Sequence, residues 1–318
     1  MRPELALAGH AAAAKAGVGL GSGRQAGGLA MAVTVLIWSG FALSVRSAHG
    51  SALAFGDVAL IRAGVAALVF LPFLPARIGR IRRAGLPRLG LIATGAGLPF
   101  LWLATAGGAM TSAAHVGALI AGTVPVSVAL LAARWPGRRK AAALAMILAG
   151  AALLVWAQGG LSAGTVPGAG LLLLASLLWA GYTLALKDSG LDPVSVALVV
   201  AVPTALAALA GMATGLVPTH LGQFTLRDAA PFLLVQGLGV GVVSTLSYAF
   251  ALSRLGAAQA ATLGSLSPAL TALLAVPLLG EALAPLAATA VALVCVGVLA
   301  ASLIPQATPA RAGPRARA

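Results

Sequence analysis

The sequence predicts an all-α membrane fold: ten transmembrane helices in two inverted five-helix repeats. Three observations carry that expectation. Apolar blocks are long enough to cross a bilayer, Lys and Arg fall almost entirely on one side of them, and the chain repeats itself at an offset of 141 to 143 residues.

The 318 residues are 60% hydrophobic and 8% charged, with mean hydropathy +1.02. A soluble domain needs about a quarter of its residues charged to cover its surface. Ten spans of ~20 residues with short connections use up most of such a chain, leaving no room for a soluble domain. In order, the expected spans are 29–48, 53–75, 89–110, 113–133, 141–157, 168–186, 194–216, 232–252, 258–279 and 283–303. Several connections hold only a few residues, so neighbours pair as antiparallel hairpins. Residues 1–28 are expected to form a flexible cytoplasmic tail and 305–318, rich in Pro, Arg and Ala, a basic disordered one. The first tail lacks the compact apolar core of a signal peptide.

With the N-terminus inside, 17 of the 20 Lys and Arg lie in cytoplasmic segments; Arg46 and Arg227 lie outside and Arg62 lies within a span. This positive-inside asymmetry puts both termini in the cytoplasm and requires an even number of spans. It also explains the net charge of +14: the basic loops face anionic headgroups, making membrane lipid a partner. Nucleic acid is not expected, because no basic patch is interleaved with base-stacking aromatics. Abundant Ala, Gly and Arg with only three Lys suggest a bacterial source, hence the bacterial cytoplasmic membrane as location. The sequence leaves room for a homodimer.

The repeat joins two pairs of motifs. Leu36–Arg46, LIWSGFALSVR, matches Leu177–Lys187, LLWAGYTLALK, pairing Trp38 with Trp179. ALIAGTVPVSVALL ending at Leu131 matches ATLGSLSPALTALL ending at Leu274, pairing Pro125 with Pro268. Each copy (29–157 and 168–304) holds five helices. Five is odd, so the second copy enters from the opposite face, an arrangement suited to alternating access around a site near the midplane.

These residues resemble the EamA-type branch of the drug/metabolite transporter superfamily. The resemblance runs from about Leu29 to Leu303. It rests on Ile37–Gly40 (IWSG), on Leu178–Lys187, and above all on Tyr248–Glu281, a two-helix stretch with Pro268 in its second helix and Gly280-Glu281 closing it. The first copy reads Gly137-Arg138 where the second has Gly280-Glu281, and the charge follows the side of the membrane. A symmetric transport role for Glu281 is therefore not expected. The resemblance implies a central cavity and secondary transport of small metabolites, such as amino acids or related zwitterionic or anionic solutes. Export is the favoured direction; import of a vitamin, nucleoside or similar solute is the alternative. No cofactor is implied.

Polar groups inside a bilayer are costly and ask for a reason. Arg62 is the sharpest case: either it anchors a substrate carboxylate or phosphate, or it is structural, bonded to helix-end carbonyls or an acid. Asp57, nearer the outer boundary, is a gate or proton-coupling candidate, with a solvated helix-end acid as the plainer account. Trp38, Trp102, Trp179, Tyr182 and Tyr248 are pathway candidates, as are Gln236, Thr262 and Ser265; ordinary helix packing is the competing account for each. Pro125 and Pro268 are expected to kink their helices and free carbonyls. His115 is expected at the outer interface. The rival class is a membrane-embedded enzyme, but six acids, four His and no HExxH, GxSxG or Walker A sequence supply neither catalytic groups nor a metal site. Cys295, the one cysteine, has no partner for a disulfide.

Overall fold

The computed structural model describes residues 3–133, 137–157, 164–186, 189–255, 260, 263–264 and 266–304, with side chains from residue 23 onward. All regular structure among them is helical. Helix α1 is Pro3–Ala48, its apolar span being Gly23–Ala48; then follow α2 (Phe55–Arg83), α3 (Leu86–Ala109), α4 (Ala113–Leu131), α5 (Arg138–Ala157), α6 (Thr165–Leu186), α7 (Pro193–Ala213), α8 (Leu226–Leu255), α9 (Ser267–Leu279) and α10 (Pro285–Leu303).

Among the described residues nine helices are long and apolar enough to span a bilayer, and α9 is a shorter apolar helix. The expected ninth span began at Ala258, and residues 258–259, 261–262 and 265 lie outside the described set. Helix α2 outruns its expected end at Pro75. Pro72 and Pro75 fall in the first turns of a 3-10 segment and of the helix after it, where a missing N–H costs nothing, so the chain stays helical to Arg83. The two kink candidates also fall at segment starts. Pro125 sits in the first turn of Val124–Leu131, after π-helical turns over Val116–Gly122, and Pro268 in the first turn of Ser267–Leu279. Within α4, Pro125 thus follows a change of helix type at Thr123, and Pro268 opens the described part of α9.

The ends are set by local chemistry. Asp192 caps α7, accepting from Ser195 N at 2.7 Å, and Thr225 with Asp228 forms a capping box on α8. Gly280 ends α9 at φ 66°, a left-handed conformation that costs other residues about 1–2 kcal/mol.

The contacts obey the repeat. Helix α1 packs on α8 and α9; its mate α6 packs on α3 and α4. Helices α2 and α7 pair with each other, as do α5 and α10. The α5–α10 approach is close: a Cβ on Gly150 would lie 2.8 Å from the Ala290 carbonyl, and one on Gly297 2.7 Å from Ile147. Small residues at such contacts let backbones meet where no hydrophobic force between helices exists. The second copy is inverted. Gly168, near the start of α6, meets Met110 and Thr111, next to the α4 start that shares Glu281 with Arg46 at the end of α1. Thus α6 begins at the face where α1 ends. Outward-facing Leu, Val and Trp side chains, such as Leu206 and Trp156, suit a lipid-covered perimeter.

Candidate functional site

A cavity of about 520 Å³ lies between the repeats, within the range of small-molecule sites. Both copies of the Trp-containing motif contribute to its wall, and each Trp is held by its partner helix. Trp38 packs against Tyr248 of α8, ring centroids 5.2 Å apart. Trp179 packs against Phe100 of α3 at 5.3 Å and Tyr182 at 5.0 Å. Hydroxyl pairs repeat the same exchange: Ser39 donates to the Ser267 carbonyl at 3.2 Å, joining α1 to α9, and Thr123 donates to Ser176 at 2.9 Å, joining α4 to α6.

Arg62 lines this cavity and is the one charged residue among its described lining. It lies seven residues past Phe55, about 10 Å along α2 at ~1.5 Å per residue. Its guanidinium lies 5.1 Å from the Phe41 ring centroid and 5.9 Å from that of Phe100, cation–π contacts that partly replace lost water. Its Nη1 donates to Gln236 Oε1 at 3.4 Å. Gln236 Nε2 in turn donates to Ser44 Oγ at 2.8 Å, and Ser44 Oγ to the Phe41 carbonyl at 2.8 Å. Three helices therefore fix the guanidinium without an acid.

Of the sequence candidates, the structure brings Arg62, Trp38, Trp179, Tyr182, Tyr248, Pro125 and Pro268 to one cavity. Gln236 is fully buried behind it, touching the cavity only through Arg62. Trp102 stands apart, 53% exposed on the outer surface, although its neighbours Phe100 and Leu101 line the cavity. Thr262 and Ser265 lie outside the described residues. Asp57 is neither solvated nor on the cavity wall. It is 2% exposed and accepts from Ala54 N at 2.8 Å, Thr219 Oγ1 at 2.6 Å and His220 N at 2.9 Å, pinning the α7–α8 connection to the start of α2. His115 is buried at the start of α4; Ser112 Oγ meets its Nδ1 at 2.9 Å. Among the described residues no His, Cys, Asp and Glu cluster could hold a metal.

The two ends of the cavity differ. One reaches Ser189, Leu191 and Pro193 of the α6–α7 connection. Here Arg77 pairs with Asp192 at 3.4 Å and Arg80 pairs with the same carboxylate. Burial disfavours the ionised Asp192, but hydrogen bonds from Ser195 and the Arg77 guanidinium outweigh that penalty and hold the carboxyl below its ordinary value. At the other end, one turn beyond Ala42 and Val116 of the cavity wall, Glu281 joins three elements. Arg46 Nε donates to its Oε1 and the Ala113 amide to its Oε2, both at 2.9 Å. Sequence reasoning set Glu281 aside, although Arg46 and Glu281 were visible as opposite charges expected on one face. Phe41 and Phe100 were missed because Phe in a span carries no signal beyond hydrophobicity.

Fold and site define a polytopic membrane protein with a solute-sized cavity between inverted repeats. The EamA-like transporter family model matches residues 166–303, the second repeat, so that part of the chain is similar to a family of membrane transporters. A solved structure titled only "Crystal structure of protein" superposes with a TM-score of 0.59 at 23% identity, covering 88% of this chain and 98% of that one; the likeness is one of fold. No curated protein matches the sequence.

Proposed function

We propose that the protein is a secondary transporter that exports small metabolites, anionic or zwitterionic solutes such as amino acids, by alternating access. The observation that carries this reading is Arg62, a cation at depth on the wall of an otherwise apolar cavity between the repeats. Such a group is expensive unless it serves a path or a ligand. Lys and Arg sidedness supports cytoplasmic termini in a bacterial inner membrane. In that orientation the end at Ser189 and Leu191 faces the cytoplasm and the Arg46–Glu281–Ala113 cluster closes the outer end. The conformation is then inward-facing, ready to load an exported solute. The described cavity lining holds no acidic side chain, which favours facilitated movement or exchange over coupling through a cavity carboxylate. Its hydroxyls, such as those of Tyr182 and Ser267, have no His, Lys or carboxylate beside them in the described lining to activate a nucleophile.

The test is flux in proteoliposomes containing purified protein, with a panel of radiolabelled anionic, zwitterionic, cationic and neutral metabolites. Saturable counterflow of at least one anionic or zwitterionic solute is expected. Panel-wide rates equal to those of protein-free liposomes, with the protein folded, refute transport; uptake only in the inward direction replaces export by import.

A further inference from the structure

Arg62 offers more donors than the protein uses. A guanidinium carries five N–H groups, and one long bond, to Gln236 at 3.4 Å, engages them. The ion pairs among the described residues join Arg46 to Glu281, and Arg77 and Arg80 to Asp192, so Arg62 has no carboxylate partner there. Its face is taken by Phe41 and Phe100, while the side chain remains partly accessible from the cavity. The free edge of the fork suits a planar, two-oxygen acceptor.

The rest of the wall decides what the acceptor is attached to. The aromatic rings form one continuous run: Phe41 stacks on Phe100 with centroids 6.0 Å apart and planes 18° apart, Phe100 meets Trp179, and Trp179 meets Tyr182. A planar apolar body finds complementary surface there. An ammonium finds no carboxylate among the described lining residues. In this low-dielectric setting a monoanion neutralises Arg62. A zwitterion leaves its cation stripped of water without a counter-charge, and an amine adds a second positive charge.

We infer that the cavity selects small organic monoanions that join one carboxylate to a planar apolar body and carry no ammonium group, with Arg62 gripping the carboxylate. This rests on the transport reading and narrows it, setting zwitterionic amino acids below their deaminated counterparts.

A matched series tests it. Binding to detergent-purified protein at pH 7.5 is measured for 3-phenylpropionate, phenylalanine, 2-phenylethylamine and 3-phenylpropanol, with counterflow of the same probes in proteoliposomes. In the wild type, 3-phenylpropionate should bind at least tenfold tighter than each of the others. Arg62→Gln should abolish the preference over the alcohol, and Arg62→Lys should keep part of it, since the charge survives without the fork. Phenylalanine binding as tightly as 3-phenylpropionate overturns the inference, even if neither variant folds. So does an unchanged ranking in a folded Arg62→Gln protein. The two readings fail separately: preferential 3-phenylpropionate binding without flux of any panel solute sinks transport, whereas flux without that preference sinks only the selectivity.

Discussion

Glu281→Gln should loosen the closed end of the cavity. The wild-type carboxylate accepts from Arg46 Nε and the Ala113 amide at 2.9 Å each, so it ties α1, α4 and the α9–α10 connection together. The amide variant keeps the shape but loses the charge. Side-chain exposures of 31% for Arg46 and 19% for Glu281 place the pair between two regimes. Exposed ion pairs contribute about 0.2–1 kcal/mol, and hydrogen bonds to charged groups about 1.5–3 kcal/mol. A loss of about 1–2 kcal/mol follows, and if the bonds exist only in the inward-facing state, the outward-open population rises roughly 5- to 30-fold. The assay replaces the single native cysteine by Cys295→Ala and places a reporter on the cavity wall with Ala121→Cys. An impermeant maleimide applied from the outer face should then label the Glu281→Gln protein faster by that factor. Arg46→Gln should match it, and the double variant should gain little more, since both remove one interaction. A labelling rate equal to that of the parent, in folded protein, refutes the latch.

Two further predictions concern helix contacts and pH. Gly95→Ala puts a Cβ 2.6 Å from both the Leu178 carbonyl and Tyr182 Cβ; overpacking of this kind costs about 1–3 kcal/mol and should lower the Tm, while Gly79→Ala, with open space around it, should not. Asp192→Ala removes an α7 N-cap worth about 1 kcal/mol and the pairs with Arg77 and Arg80, and should lower the Tm at neutral pH. Because the folded-state carboxyl titrates below its ordinary 3.8, its contribution is fully present above that value and fades as pH falls through the lower one. The Tm gap between wild type and variant should therefore hold from pH 7 to about 5 and shrink only in stronger acid; a gap that closes near pH 6 contradicts the assignment.

The sequence alone determined the solvent and the symmetry. Blocks such as Leu283–Leu303 can satisfy their backbones in lipid only as helices, the one-sided Lys and Arg point to an orientation, and Trp38–Trp179 with Pro125–Pro268 marked the two copies. Arg62 stood out for the same reason, since a charge at depth is visible without coordinates. What tertiary structure alone decided is which way each side chain looks and what it meets. Trp102 and Trp179 are alike in sequence, yet one turns to lipid and the other to the cavity, because a helix in an apolar solvent carries no amphipathic stripe to mark its inner face. Asp57 looked like a free acid until the α7–α8 connection closed over it. Glu281 and Arg46, 235 residues apart, became an ion pair only when inversion brought α1, α4 and the α9–α10 connection to one face. Hydrophobicity and charge are properties of single positions and can be summed along a chain. Partnership depends on distances between helices, which packing alone sets.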